Sequence, residues 1–236
     1  MNSEMQKILK TIIPGKDILI LDADEVLLLF ITRLEAYLES TGFELKLNSF
    51  RLGGNIFKKG HPNAVEPAGV KALISRFFDA CVDDIPAAPG AAEALEGLRD
   101  YYQIVILSNV PAHCQGRRMA HLEAHGMPYP VIANKGDKGQ AVLALSKAAQ
   151  TKTTQLKAIQ AKAIFIDDLP PQISSVAACA PDTHRIHFIA DPRVAKLIGK
   201  ADHAHVRFDT WPLLQQYLQN YSRGPLQETL QGHPHA

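Results

Sequence analysis

The stretch ILILDADEV, residues 18–26, decides the fold. Its first four residues, Ile18 to Leu21, are apolar without alternation, the pattern of a strand covered on both faces in a parallel sheet. The run stops on Asp22-Ala23-Asp24, which puts two carboxylates at the strand's carboxyl end. The same arrangement returns downstream. IVIL (104–107) is followed by Ser108 and Asn109, and AIFI (163–166) by Asp167 and Asp168. VI (131–132) and IHFI (186–189) read as two further buried strands.

Helical patterns lie between these runs. GAAEALEGL (90–98), HCQGRRMAHLEAHG (113–126) and KGQAVLALSKAA (138–149) repeat apolar residues at helical spacing, and the second closes on Gly126. Asp191-Pro192 pairs a capping carboxylate with a first-turn proline and starts another helix. Trp211 and Tyr217 read as core contacts of a last helix. Strands alternating with helices predict an α/β fold, a Rossmann-like parallel sheet flanked by helices with right-handed crossovers.

One region breaks the alternation. About eighty residues separate the strands at 18–21 and 104–107, too many for a simple crossover. TRLEAYLES (32–40) and GVKALISRFFDACV (69–82) read as amphipathic helices, RLGGNIFKKGHPN (51–63) as loop and IPAAPG (85–90) as a hinge. The expected organisation is a core of residues 1–29 and 88–222, a small helical insert over 30–87, and a frayed polar tail over 223–236.

Composition narrows the function. Hydrophobic residues make up 46% and charged residues 21% of the 236, an ordinary globular balance. Twenty-five Lys and Arg against 24 Asp and Glu leave +1, which gives no electrostatic case for nucleic acid or an anionic membrane as the main partner. The longest apolar stretch, VLLLFI (26–31), falls far short of the ~20 residues of a membrane-spanning helix. The N-terminus has no apolar h-region and does not read as a secretory signal. Cys81, Cys114 and Cys179 are widely spaced without a CxxC, so a reducing cytoplasm fits better than a disulfide framework.

Ligands bind at the carboxyl ends of the strands in open α/β sheets. Asp22, Asp24, Asp167 and Asp168 therefore converge on one edge with Ser108, Asn109 and a lysine, either Lys135 or Lys138. Crowded carboxylates repel unless a cation sits among them, and an all-oxygen donor set favours magnesium over zinc. A bound magnesium ion would attract a phosphate dianion, one aspartate could act as nucleophile, and the other could pass a proton to the leaving group. Ser108, Asn109 and the lysine could hold the non-bridging phosphoryl oxygens. Taken singly, each feature has a plainer role: an aspartate ending a strand caps a turn, and Ser-Asn is an ordinary turn pair.

Taken together, these motifs resemble the haloacid dehalogenase-like superfamily. ILILDADEV is similar to its first motif, ILSN to its second, Lys138 in NKGDKGQAV to its third with Lys135 as competitor, and IFIDDLP to its fourth. PAAPGAAEALEGL resembles the segment that re-enters the core after an inserted cap. The resemblance runs to about Tyr221. It implies that Asp22 is the nucleophile and Asp24 the general acid and base. Asp22 and Asp167 would bind magnesium through side chains, Asp24 through its carbonyl, and Asp168 directly or through water. Ser108 and Lys138 would contact the phosphoryl group. A second aspartate at the position of Asp24 implies a phosphatase acting on a small phosphorylated metabolite. The alternatives are a phosphomutase or a non-catalytic module retaining the fold. Glu25 departs from the pattern, standing where many relatives carry glycine.

Other polar residues carry weaker signals. Arg51, Asn55, Lys58, Lys59 and His61 form either a loop that binds a second anionic group or a solvated basic loop. His121 and His125 are spaced for a shared metal but lack a third ligand. Cys114 reads as a small buried residue ahead of a reactive thiol.

Overall fold

The computed structural model describes residues 3–150 and 160–223; the expected C-terminal tail lies outside the described residues from 224 onward. The chain runs α1 (Ser3–Thr11), β1 (Ile18–Leu21), α2 (Phe30–Ser40), β2 (Phe43–Leu45), β3 (Ile56–Lys58), α3 (Pro67–Cys81), α4 (Ala91–Leu98) and β4 (Gln103–Ser108). A 3-10 turn (Ala112–Cys114) leads into α5 (Gln115–Ala124), followed by β5 (Val131–Ala133), α6 (Gly139–Ala149), β6 (Ala163–Asp167) and α7 (Pro170–Cys179). The chain continues through β7 (His184–Phe188), α8 (Pro192–Ala195), β8 (Val206–Phe208) and α9 (Trp211–Arg223).

Six strands form one parallel sheet in the order β5-β4-β1-β6-β7-β8, the Rossmann-like α/β architecture. Strand β1 lies at the centre, with the chain building outward first through β4 and β5 and then through β6, β7 and β8. That reversal makes the carboxyl end of β1 the switch point, where a crevice opens.

The absence of alternation in β1 has a direct cause. Ile18 and Ile20 pack with Met5 and Ile8 of α1, Val142 and Leu145 of α6, and Ile173 and Val176 of α7. Leu19 and Leu21 face the opposite layer with α4, α9 and the insert. All four side chains are fully buried, and each such burial contributes roughly 1.5–3 kcal/mol.

Two elements of the core were not anticipated. Helix α1 is amphipathic, with Met5 and Ile8 on its buried side and Ile12 buried just past its end. Strand β8 is a half-buried three-residue strand centred on Arg207, too short and too polar to stand out from its surroundings.

The segment between β1 and β4 carries the two expected helices and an antiparallel pair, β2 with β3, that pairs Leu45 with Ile56 and Phe43 with Lys58. The stretch 51–63 is therefore not all loop. Buried Ile56 anchors a three-residue strand within it, too short for its periodicity to show. Helices α2 and α3 meet through aromatic edges, Phe30 to Phe77 at 5.1 Å and Tyr37 to Phe77 at 5.6 Å. The incoming and outgoing chains pair: Leu29 N–H donates to the Pro86 carbonyl and Ala88 N–H to the Leu27 carbonyl, both at 2.8 Å. Among the described residues no helix is long and apolar enough to cross a membrane.

Candidate active site

Strand register assembles the acidic edge. Leu21 lies opposite Ile106 on β4 and Ile166 on β6, so the next residue, Asp22, comes level with Asp167 and one step from Ser108. Ligand atoms of Asp22, Asp167 and Asp168 all lie within 4.8 Å of one another, and all three residues are buried.

Lys138 resolves the choice of lysine. It is fully buried, and its ammonium sits 2.7 Å from Asp22 Oδ1 and 2.7 Å from Asp167 Oδ2, whereas Lys135 is exposed. Its backbone N–H donates to Gln172 Oε1 of α7 at 2.9 Å. The next residue, Gly139, permits this position. A Cβ there would lie 2.4 Å from the Ser175 carbonyl oxygen, so any larger residue would force α6 away from α7.

One ammonium faces three carboxylates. Burial, reinforced by Asp167 and Asp24 and opposed by Lys138, pushes the Asp22 carboxyl up to about 7. Burial together with Asp167 and Asp22 likewise raises Asp168 well above the carboxylate range. Burial draws the Lys138 ammonium down, but Asp167 and Asp22 outweigh it and hold the group charged. A buried all-oxygen donor set that is short of positive charge suits a small hard cation such as magnesium. Asp167 also fills its plainer role, since its Oδ1 accepts from Leu169 N–H at 2.9 Å and fixes the turn into α7.

Ser108 is completely buried at the end of β4, and its hydroxyl has no partner among the described residues. A lone buried hydroxyl is destabilising unless a ligand satisfies it. Asn109 is exposed at the cavity edge. Its amide donates to the Gly136 carbonyl at 3.0 Å, and its Oδ1 accepts from Asn134 at 2.8 Å.

Sequence reading missed Arg118 here and gave Glu25 no role. Arg118 of α5 is fully buried and donates from Nη1 to Asp24 Oδ1 at 2.7 Å, with its guanidinium also 5.8 Å from the Phe78 ring centroid. The available signal was its place between Cys114 and Leu122 at four-residue spacing, a charge on an apolar stripe. Glu25 takes a left-handed φ of 57°, a conformation glycine adopts freely. Its side chain holds the strained turn together by accepting from Ile31 N–H at 2.6 Å and Asp191 N–H at 3.2 Å. Burial raises its carboxyl to about 7, against the pull of the Ile31 hydrogen bond.

A cavity of about 290 Å³ opens above this edge, reached by Asp22, Asp24, Asn109, Lys138 and Asp168 from the sheet and by apolar residues of the insert. Arg51, Asn55, Lys58, Lys59 and His61 are not in its lining. Asn55 is buried and pins its own loop, donating to the Ser49 and Arg51 carbonyls at 2.7 Å each. Lys59 donates to the Glu39 carbonyl at 3.1 Å, and Arg51, Lys58 and His61 are exposed.

The remaining signals fall to structural roles. His121 is buried, bonded to the Ile85 carbonyl at 2.7 Å and packed edge-on to His125. Cys114 is buried, and burial raises its thiol. Trp211 is buried and donates from Nε1 to the Val26 carbonyl at 2.9 Å, tying α9 to the turn after β1.

No family model matches the chain, and no curated protein matches its sequence. Solved structures do match. A haloacid dehalogenase-like family hydrolase from Streptococcus pneumoniae superposes with a TM-score of 0.57 at 12% identity, covering 87% of this chain and 99% of that one. A hydrolase of the same family from Deinococcus radiodurans, solved with phosphate and sodium, gives 0.55 at 16% identity over 87% and 96%. A phosphonoacetaldehyde hydrolase-like protein from Oleispira antarctica gives 0.54 at 14% identity over 89% and 93%. Near-complete overlap at such low identity reflects shared architecture, and this chain has the haloacid dehalogenase-like fold.

Proposed function

We propose that the chain is a magnesium-dependent phosphatase that hydrolyses a small phosphorylated metabolite through an aspartyl-phosphate on Asp22. One observation carries the reading: three buried carboxylates lie within 4.8 Å of one another at the strand ends, with one buried ammonium bridging two of them. A fold hosts many chemistries, so the argument rests on this site rather than on the likeness.

The side chains of Asp22 and Asp167, the Asp24 carbonyl, and Asp168 directly or through water would hold the metal. When bound, magnesium supplies the positive charge that lets a phosphate dianion approach carboxylates. Asp22 attacks phosphorus as the ester P–O bond breaks, and Asp24 gives its proton to the departing oxygen. Asp24 then takes a proton from the water that attacks the aspartyl-phosphate. The bond to Asp22 breaks, and orthophosphate leaves. Ser108, Asn109 and Lys138 donate to the non-bridging oxygens. In this reading residues 30–87 form a cap over a catalytic core of 1–29 and 88–222, keeping bulk water from the intermediate.

The test is release of inorganic phosphate from a panel of phosphate monoesters, with magnesium and with excess chelator, for the wild type and Asp22→Asn. Release that needs both magnesium and Asp22 supports the reading. Full activity in chelator, or in Asp22→Asn, rejects it.

A further inference from the structure

The roof of the cavity is carbon. Phe30 and Ile31 come from α2, Phe50 and Leu52 from the segment before β3, and Ile74 and Phe78 from α3. Phe50, Leu52 and Ile74 are only half-buried because they face this space. Phe50 and Leu52, on either side of exposed Arg51 in the loop before β3, both line the cavity.

The charge on the lining points the same way. Asp22, Asp24, Glu25 and Asp168 contribute four carboxylates, and Lys138 is the one cation among the described lining residues, already engaged by Asp22 and Asp167. Arg193, next to the lining residue Val194, pairs with Asp191 and Glu35, and Arg51, between Phe50 and Leu52, is exposed and is not part of the lining. A second anionic group on a ligand would meet carboxylates and carbon, and sugar hydroxyls under this roof would lose water without gaining partners. At about 290 Å³ the space is just below the roughly 300–1,000 Å³ typical of small-molecule sites.

We propose that the substrate is a phosphate monoester whose non-transferred part is uncharged and apolar, an aryl or branched-alkyl phosphate, rather than a sugar phosphate or a doubly anionic metabolite. The inference rests on the phosphatase reading for the phosphoryl end and on the roof for the other. The ester oxygen lies at the boundary: phosphorus sits among Asp22, Ser108 and Lys138, and the organic group lies against Phe50, Leu52 and Ile74.

Calorimetric titration of the full chain in magnesium tests it with two phosphonates whose C–P bond this chemistry does not cut. Phenylphosphonate should bind at least about tenfold more tightly than 3-phosphonopropionate, which carries a carboxylate in place of the ring. Leu52→Lys should narrow or reverse that preference. Ile74→Thr, a milder change at a half-buried position, should weaken phenylphosphonate binding alone and serves if the lysine variant does not fold. Phosphate release from phenyl phosphate and glucose 6-phosphate is measured in parallel. Equal or tighter binding of the carboxylate probe, no binding of phenylphosphonate, or faster release from glucose 6-phosphate overturns the apolar-substrate proposal. The phenyl preference without phosphate release from any monoester overturns the phosphatase reading and leaves the apolar pocket standing.

Discussion

Arg118 lies fully buried beneath Asp24, and its Nη1 donates to Oδ1 at 2.7 Å while the Asp24 side chain keeps 20% of its surface exposed. The carboxylate two residues beyond the candidate nucleophile is thus tied to helix α5 on one side and open to the cavity on the other. Two of the guanidinium nitrogens, Nε and Nη2, have no partner among the described residues, so Asp24 is the group that compensates a buried charge.

Replacing Arg118 with Met should therefore do two things. Stability should fall by about 1–3 kcal/mol, less than the ~3–5 kcal/mol for breaking a fully buried pair, because Asp24 can rehydrate. Phosphate release should slow roughly 10–100-fold as the Asp24 carboxylate loses its fixed position. Urea denaturation and a phosphate assay read the two effects, and Arg118→Met combined with Asp24→Asn should cost less than the sum of the single changes. An unchanged rate in Arg118→Met would show that the tether has no part in turnover.

Ser108→Ala separates function from folding. The hydroxyl is buried without a partner, so removing it should leave stability unchanged or raise it by up to about 1–3 kcal/mol. The same change should slow phosphate release, because one donor to the phosphoryl oxygens is gone. A variant that is both less stable and fully active would refute this assignment.

Magnesium should raise the melting temperature as well as support activity, since a ligand of the folded state stabilises it by mass action. Asp168→Asn removes one charge from the crowded site, so the metal-free protein should melt higher and gain less from magnesium. Calcium, with its larger and looser coordination, should support little phosphate release. Scanning calorimetry with and without chelator checks the thermal arm. An Asp168→Asn protein that melts lower without metal would contradict carboxylate repulsion as the dominant effect.

A pH-dependent contribution to stability sits far from the cavity, at His184 on β7. Burial, with His205 and Arg185 nearby, lowers this imidazole to about 4. Its ring stacks on Tyr221 at 4.5 Å and on His205 at 4.7 Å. The unfolded chain takes up a proton as pH falls below about 6.5, and the folded chain does so only near pH 4. The contribution is therefore complete above pH 6.5 and lost progressively down to pH 4. Because the residue is only half-buried, solvent screening brings the loss to on the order of 1 kcal/mol. Denaturation curves across that window should show a shallower acid dependence for His184→Gln than for the wild type, and identical slopes would remove His184 as the cause.

The basic loop illustrates where sequence reading ends. Lys58 and Lys59 fall in a charged, glycine-rich stretch that reads as a possible anion contact, yet neither lines the cavity. Replacing both with Ala should leave phosphate release unchanged for charged and uncharged monoesters alike. The residues that do reach the cavity, Phe50 and Leu52, stand on either side of Arg51 and look unremarkable in a one-dimensional reading. This loop is anchored by the β2–β3 pairing and the burial of Ile56, and neither is visible in a three-residue strand.

The sequence by itself determined the parallel sheet and the placing of Asp22, Asp24, Ser108, Asn109, Asp167 and Asp168 at its strand ends. Continuous apolar runs can be buried only between two layers, and a run that ends on polar residues marks where the strand leaves the core. Tertiary structure alone decided which lysine joins the carboxylates, which cation compensates Asp24, and what chemistry lines the roof. Lys138 meets Asp167 across 29 residues and Arg118 meets Asp24 across 94. Such pairings follow from helix packing, such as the close approach at Gly139, and from the desolvation that makes a buried charge seek its counter-charge. Neither leaves a periodic trace in the chain.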